Sequence, residues 1–216
     1  MLFADGSLAR RIERAESGLT AEMAAIIGAR MGDGVVFVAP IGGGVAVHVG
    51  EPAPFNKMIG VGMDGPLDEE ALAALALIER EFDRREAPLQ AEIATIADHA
   101  THRILVERGY SLVAFENVLG MRLGGAALEA LAAQAPAGVE IARADATETA
   151  AWIDAVVTGF ASPDITPGGP SHESFPRESL ERSMADMAAA PGFTCYLARV
   201  GGVVAGGAGL RVTDGV

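Results

Sequence analysis

Two spacings of hydrophobic residues alternate along the chain, one typical of helices and the other of strands. The first helical pattern follows Ser7, which predicts a helix with Ser7 as its N-cap and with Gly18 and Thr20 as the residues where it would divide. A helix of this kind buries one face and leaves the other in water. The predicted buried face contains Leu8, Ile12, Ala15, Leu19, Met23 and Ile26 or Ile27.

Short apolar runs after this helix have the length and composition of strands. They predict strands at 35–39, 45–49 and 57–63, the first two joined through a loop that contains Pro40 and three glycines. Since these connections are short, we expect the three strands to form an antiparallel meander.

A helical pattern then alternates with strand patterns. Asp68 is the predicted N-cap of one helix, and a second helix is predicted from Asp98 to Gly109. Strands predicted at 89–94 and 110–115 flank this second helix, which indicates two parallel strands joined by a crossover helix. The first half is therefore predicted to be a mixed sheet with helices packed on it.

The pattern restarts after 134–138, a stretch typical of a linker. The second half contains a predicted strand at 139–143, a helix capped by Thr147, a helix from Pro176, and a hairpin of 193–200 and 203–212 around Gly201-Gly202. The predicted fold class is α+β, with a mostly antiparallel sheet flanked by helices. The predicted domains are 1–133 and 139–216, the second only partial.

The last residues bear on how this second sheet is completed. Asp214-Gly215 is a dipeptide typical of hairpin turns, so a further strand is expected after it. An apolar edge strand without a neighbour favours association. We therefore expect either a longer natural chain or a second subunit that covers the open edge after Val212, which would make the protein a homo-oligomer.

Charge and composition narrow the class of partner. Half of the residues are apolar and only 5% are aromatic, so the core is built mainly from Ala, Val, Leu and Ile. A net charge of −13 repels phosphate backbones and anionic lipids. Nucleic acid and membrane surfaces are therefore not expected as partners, and a small molecule or peptide that carries an amine is favoured.

The cysteine content and the first residues indicate the compartment. Cys195 is the only cysteine, which excludes an internal disulfide and a thiolate zinc cluster. The charged run Arg10–Arg14 arrives without a preceding apolar region, unlike a secretory leader. The chain is therefore predicted to be cytoplasmic.

Two segments resemble the GNAT-type N-acetyltransferases. The stretch 89–110, which ends in Glu107-Arg108-Gly109-Tyr110, is similar to the late strand–helix–strand of that family. The stretch 196–207 resembles the family's central hairpin. The resemblance implies a tandem protein with one full copy and a second copy that stops after its third strand. It also implies transfer of an acetyl group from acetyl-CoA to an amine.

The resemblance further implies where acetyl-CoA would bind. In that family, a loop after the hairpin's following strand opens a helix whose N–H groups bind the coenzyme's pyrophosphate. In the second copy this segment would lie beyond Val216. In the first copy it corresponds to 58–63 and 64–70, where Asp64, Asp68 and neighbouring glutamates repel a pyrophosphate. The chain is therefore expected to lack a complete coenzyme site.

Two glycine motifs offer alternative sites. Residues 60–65 match a dinucleotide-binding fingerprint, but the preceding strand is short and acidic residues stand where phosphate would bind. Residues 122–127 match the GNAT pyrophosphate loop through Arg122, Gly125 and Ala127, and a loop followed by a short linker helix explains them as well. Neither motif is taken as the cofactor site.

Polar residues at the ends of apolar runs are the candidates for chemistry. Glu92 lies between Ala91 and Ile93 in a strand predicted to be central, where an ionised carboxylate needs a partner. His172, in the longest irregular loop, is a further proton acceptor. The predicted catalytic candidates are Glu92, Glu116 and His172, and the substrate-binding candidates are Asn56, Asn117 and Glu173.

Histidines do not indicate a metal site. His99 and His102 lie three residues apart on a predicted helix without an evident third ligand, and His48 is expected to face solvent. Two functions remain open from the sequence. One is an N-acetyltransferase in the GNAT manner, and the other is a non-catalytic binding or assembly module with a similar fold.

Overall fold

The computed structural model describes residues 5–32, 34–50, 52–126, 128–129, 136–161 and 175–216. The larger of two units comprises the described residues within 4–112, 175–191 and 212–216, and the smaller unit those within 113–174 and 192–211. Helices and mostly antiparallel strands occur in each unit, so the α+β fold class is confirmed.

Helix α1 (Gly6–Met31) is continuous, so the predicted division at Gly18 and Thr20 is wrong. Its N-cap is Asp5 rather than Ser7, and the Asp5 carboxylate accepts a hydrogen bond from the Leu8 N–H at 2.8 Å. An aspartate two residues earlier satisfies an exposed N–H group in the way that the predicted serine would have done.

The buried face of α1 differs from the predicted one. Leu8, Ile12 and Leu19 are only half-buried. Small side chains let the helix approach the sheet closely, since a Cβ on Gly60 would lie 3.2 Å from the Ser17 Cβ. The buried residues are Ala9, Ser17, Thr20, Met23, Ala24 and Ile27.

The larger unit is built on one four-stranded sheet. Strands β1, β2 and β3 form the predicted antiparallel meander, and β4 pairs with β3 in parallel. The elements that follow α1 are β1 (Phe37–Ile41), β2 (Gly44–His48), β3 (Lys57–Ile59), α2 (Glu69–Arg84), β4 (Gln90–Glu92) and α3 (His99–Glu107).

Helix α2 covers the sheet and begins where the sequence predicts. The Asp68 carboxylate accepts a hydrogen bond from the Ala71 N–H at 2.8 Å, so Asp68 is the N-cap. One face of the helix is buried against the sheet at the predicted helical spacing, and its largest members are Leu75, Ile78 and Phe82.

The predicted strand at 110–115 is absent from the described structure, where residues 111–123 form neither helix nor strand. Asp98 does cap α3, but this helix does not join two parallel strands. The parallel pair is β3 and β4, and α2 is its crossover helix. The residues after Tyr110 have strand-like composition but no neighbouring strand in the described fold, and pairing rather than composition makes a strand.

The smaller unit contains a three-stranded antiparallel sheet in the order β5–β6–β7. Its elements are β5 (Val139–Arg143), α4 (Thr149–Ala161), β6 (Thr194–Val200) and β7 (Val203–Leu210). The predicted hairpin is confirmed, because Gly201 and Gly202 have φ values of 58° and 81°, which suit a tight turn. Helix α4 lies on β7, where the Trp152 indole N–H donates to the Ala208 carbonyl at 2.9 Å.

Helix α5 (Arg177–Ala188) follows Pro176 as predicted and lies in the larger unit. It buries Leu180 and Met184, and Arg30 of α1 contacts the Asp186 carboxylate at 2.9 Å. Within the ranges that the structure describes, every helix is too short or too polar to cross a membrane.

Candidate functional site

The predicted candidate Glu92 forms an ion pair in the larger unit. Glu92 ends β4, which is an edge strand of the described sheet rather than the predicted central strand. Its Oε1 lies 2.6 Å from the Nζ of Lys57, whose side chain is only 17% exposed. The partner that a carboxylate in this sheet requires is therefore Lys57, the only lysine of the chain.

Helix α1 adds a second carboxyl group, that of Glu13. Glu13 lies four residues before the buried Ser17 and is itself half-buried. Burial, together with the negative charges of Glu16 and Glu92, raises the pKa of Glu13 to about 7, although a hydrogen bond from the Gly60 N–H opposes the shift. Glu13, Lys57 and Glu92 are called the Glu13 cluster below.

The Glu13 cluster has the chemistry of a proton-transfer site. A carboxyl group whose pKa lies near neutrality exchanges its proton readily under cellular conditions. Lys57 holds Glu92 in an ion pair, so Glu13 is the member of the cluster whose proton is free to move. Groups perturbed by burial together with a neighbouring charge are typical of functional sites.

The sequence analysis missed Glu13 because it assigned Ile12 to the buried face of α1. The sequence did contain a signal. Ala9, Ser17 and Ala24 form a stripe of small residues on one face of α1, and residue 13 lies on the same face, four residues from both Ala9 and Ser17. The lone lysine beside a predicted strand was a second signal.

Other predicted residues have structural roles or are exposed. The Asn56 side-chain oxygen accepts a hydrogen bond from the Val49 N–H at 2.8 Å, which is turn chemistry. Glu116, Asn117, Arg122 and Gly125 are exposed in the smaller unit. His172, Glu173 and Ala127 lie outside the described residues, so their predicted roles stay predictions.

One prediction about the histidines, that His48 faces solvent, is wrong. His48 is 6% exposed rather than solvent-facing, and its Nδ1 accepts a hydrogen bond from the Gly50 N–H at 2.9 Å. Burial and the nearby charge of Arg85 lower the pKa of His48. Among the described residues, no group of three or more His, Cys, Asp or Glu side chains is arranged to hold a metal ion.

A groove of about 530 Å³ lies at the start of α2. The turn between β1 and β2 forms one wall, and Asp64, Asp68 and Glu70 are among the residues that line it. The Asp64 carboxylate lies 3.3 Å from the Arg10 guanidinium and 3.5 Å from that of Arg14. This groove is called the α2 groove below.

The α2 groove does not fit a pyrophosphate. The carboxylate of Asp68 already accepts the N–H of Ala71 at the helix start, where a phosphate oxygen would otherwise bind. The backbone of Gly62, in the fingerprint-like stretch 60–65, is also engaged, since its N–H donates to Gly42 at 3.0 Å. These contacts oppose the binding of a pyrophosphate at this position.

Comparison with protein-family models, with curated proteins and with solved structures finds no match to this chain. The resemblance to the GNAT-type acetyltransferases therefore stays a prediction, and the geometry of the Glu13 cluster has to support any function proposed for the chain.

Proposed function

We propose that the chain acts in N-acetyl transfer of the GNAT type, and that Glu13 accepts the proton of the amine that is acetylated. One observation carries the proposal. The pKa of Glu13 is raised to about 7 by burial and by the charges of Glu16 and Glu92, and Glu92 forms an ion pair with Lys57 across the parallel strands β3 and β4.

The proposed role of Glu13 follows from the chemistry of amines. A primary amine reaches a protein mostly as an ammonium ion and must lose a proton before its nitrogen can attack a carbonyl carbon. Glu13 is suited to take that proton, because burial and the charges of Glu16 and Glu92 increase its affinity for it. The net charge of −13 also favours the approach of a cationic substrate.

Acetyl-CoA enters this proposal only through the resemblance. Since the α2 groove does not fit the pyrophosphate, the proposal assigns no described residue to the coenzyme and no step at the thioester. The part of the reaction proposed for this chain is amine binding and proton acceptance.

A non-catalytic binding or assembly module is the second candidate. The observation that favours it is the acidic lining of the α2 groove, which opposes the anionic coenzyme at the position where the family resemblance would place it. In this alternative the larger unit binds a cationic ligand without transferring a group to it.

Calorimetry with acetyl-CoA separates the two candidates. Saturable binding in the micromolar range supports the enzyme, whereas no binding at millimolar coenzyme supports the module. Where binding is found, release of the CoA thiol should be followed across a panel of amines.

The role of Glu13 is tested by Glu13→Gln, with Glu107→Gln as the control. Glu107 is an exposed glutamate on α3. In the unchanged protein, the rate should rise with pH through about 7 as Glu13 loses its proton. Glu13→Gln should abolish this rise and lower the rate by about a hundredfold, whereas Glu107→Gln should leave both unchanged. An unaltered pH profile in Glu13→Gln would exclude Glu13 as the proton acceptor.

A further inference from the structure

Residues 113–123 of the smaller unit form an extended, fully exposed segment. Large apolar residues occupy most of its odd positions, which is the alternation of a half-buried strand. Leu119, for example, is 91% exposed. The exposed large side chains are Val113, Phe115, Val118, Leu119, Met121 and Leu123. Large apolar side chains exposed together in one short segment mark a place where another surface binds.

Strand β7 offers a complementary surface. It pairs with β6 and, among the strands that the structure describes, with no other, so its outer edge lacks a strand neighbour, although the Ala208 carbonyl accepts the Trp152 indole N–H. Residues 205–209 on this strand are all alanine or glycine. Val156, Trp152 and Phe193 already fill the face that carries Gly207 and Gly209. The opposite face is open, since a Cβ on Gly206 would meet no atom within 4 Å, and it leaves room for a neighbouring strand with large side chains.

We propose that residues 113–123 of one copy of this chain add as a further strand to the β7 edge of a second copy, and that the second copy does the same in return. Addition of an extended segment to a sheet edge supplies main-chain hydrogen bonds, and the alternating side chains supply the apolar contact. Because the exchange is reciprocal, it closes as a two-fold dimer in which neither β7 edge stays open.

Charge explains why a second copy is a suitable occupant. Two copies that each carry −13 repel one another over most of their surface. The segment 113–123 contains one Glu and one Arg, and β7 contains no charged residue. The two proposed surfaces are thus electrically neutral, and close approach between copies costs least there.

The surface area that the proposed dimer would bury is also large enough for a specific interface. Each large apolar side chain of the segment buries roughly 100 Å² when covered. Two segments and the surfaces that they cover therefore exceed the roughly 1,200 Å² of a specific interface. The inference does not depend on acetyltransferase activity, because it rests on the smaller unit alone.

Sedimentation velocity over a concentration series tests the proposal on the full chain. We expect the unchanged protein to sediment as a dimer. Leu119→Asp in the segment and Ala208→Lys on the exposed edge of β7 should each weaken the dimer by more than about tenfold in Kd. Leu77→Asp, which places the same charge on an exposed leucine of α2, is the matched control and should stay dimeric.

A mixture of the two variants identifies the arrangement. Leu119→Asp retains an intact β7 edge and Ala208→Lys retains an intact segment, so an equal mixture should form heterodimers through one intact interface. Hydrogen exchange should then show protection of 113–123 that increases with concentration.

Three results would overturn the proposal. They are a strict monomer at millimolar protein, a dimer indifferent to Leu119→Asp, and a mixture that associates no better than its components. Protection of 113–123 at the same level in dilute monomer would show instead that the segment pairs within its own chain.

Discussion

Two acidic regions of the larger unit differ in what surrounds their carboxylates. In the Glu13 cluster, helix α1 half-buries a glutamate beside an ion pair, and the pKa of Glu13 is raised to about 7. At the α2 groove, Asp64 is half-exposed beside two arginines and Asp68 caps a helix. The α2 groove has the greater density of acidic residues in the sequence. The raised pKa that suits a carboxyl group to proton transfer is nevertheless found in the Glu13 cluster. Burial beside a like charge, rather than the number of carboxylates, makes a proton-transfer group.

Among substitutions that test the contrast between the Glu13 cluster and the α2 groove, Lys57→Met should have the largest effect on stability. The change leaves Glu92 without its cation while Glu92 still repels the negative charge of Glu13, so the free energy of unfolding at pH 8 should fall by about 2–3 kcal/mol. Urea denaturation measures it. The double variant Lys57→Met/Glu92→Gln removes both charges and should recover most of the loss. Equal losses in the single and double variants would mean that lysine packing, not charge, stabilises the cluster.

Glu13→Gln should stabilise the protein at pH 8. The folded-state pKa of Glu13, about 7, lies above the unfolded value of 4.5, so the stability that its proton contributes below pH 4.5 is lost as pH rises through about 7. Because water reaches this half-buried carboxyl, the expected gain at pH 8 is about 1–2 kcal/mol. Urea denaturation of both proteins at pH 4.5 and pH 8 should show the gain only at pH 8. A gain of equal size at both pH values would contradict the raised pKa.

Asp68→Ala tests the assignment of Asp68 as a helix cap. Loss of its hydrogen bond to the Ala71 N–H should lower the free energy of unfolding by about 1 kcal/mol. Asp68→Asn retains the acceptor oxygen and serves as the control, with little change expected. If both substitutions left the stability unchanged, the Asp68 carboxylate would not be stabilising the start of α2, and its assignment as the helix cap would be wrong.

The smallest effect is expected from Asp64→Asn at the same groove. Asp64 and its arginine partners are largely exposed, so the unfolding free energy should change by less than about 0.5 kcal/mol. The small difference should shrink further at high salt, since exposed ion pairs are screened. A loss comparable with that of Lys57→Met would remove the contrast between the two regions.

Part of the candidate site could be predicted from the sequence. Glu92 was identified because a carboxylate in an apolar strand requires a partner, and that partner proved to be Lys57. Glu13 could not be identified in the same way. Its pKa depends first on the burial that α1 acquires against the sheet, then on the charge of Glu16 and on that of Glu92, which is distant in sequence.

The sequence by itself determined the elements that local interactions define. The Asp68 and Asp98 caps and the Gly201-Gly202 turn follow from hydrogen bonds and backbone angles within a few residues, and all three are present in the fold. Only the tertiary structure decided which face of α1 is buried, that β4 pairs with β3, and that residues 111–123 form no strand. Those outcomes depend on neighbours far along the chain, because a helix face is buried and a strand is paired only where another element meets it.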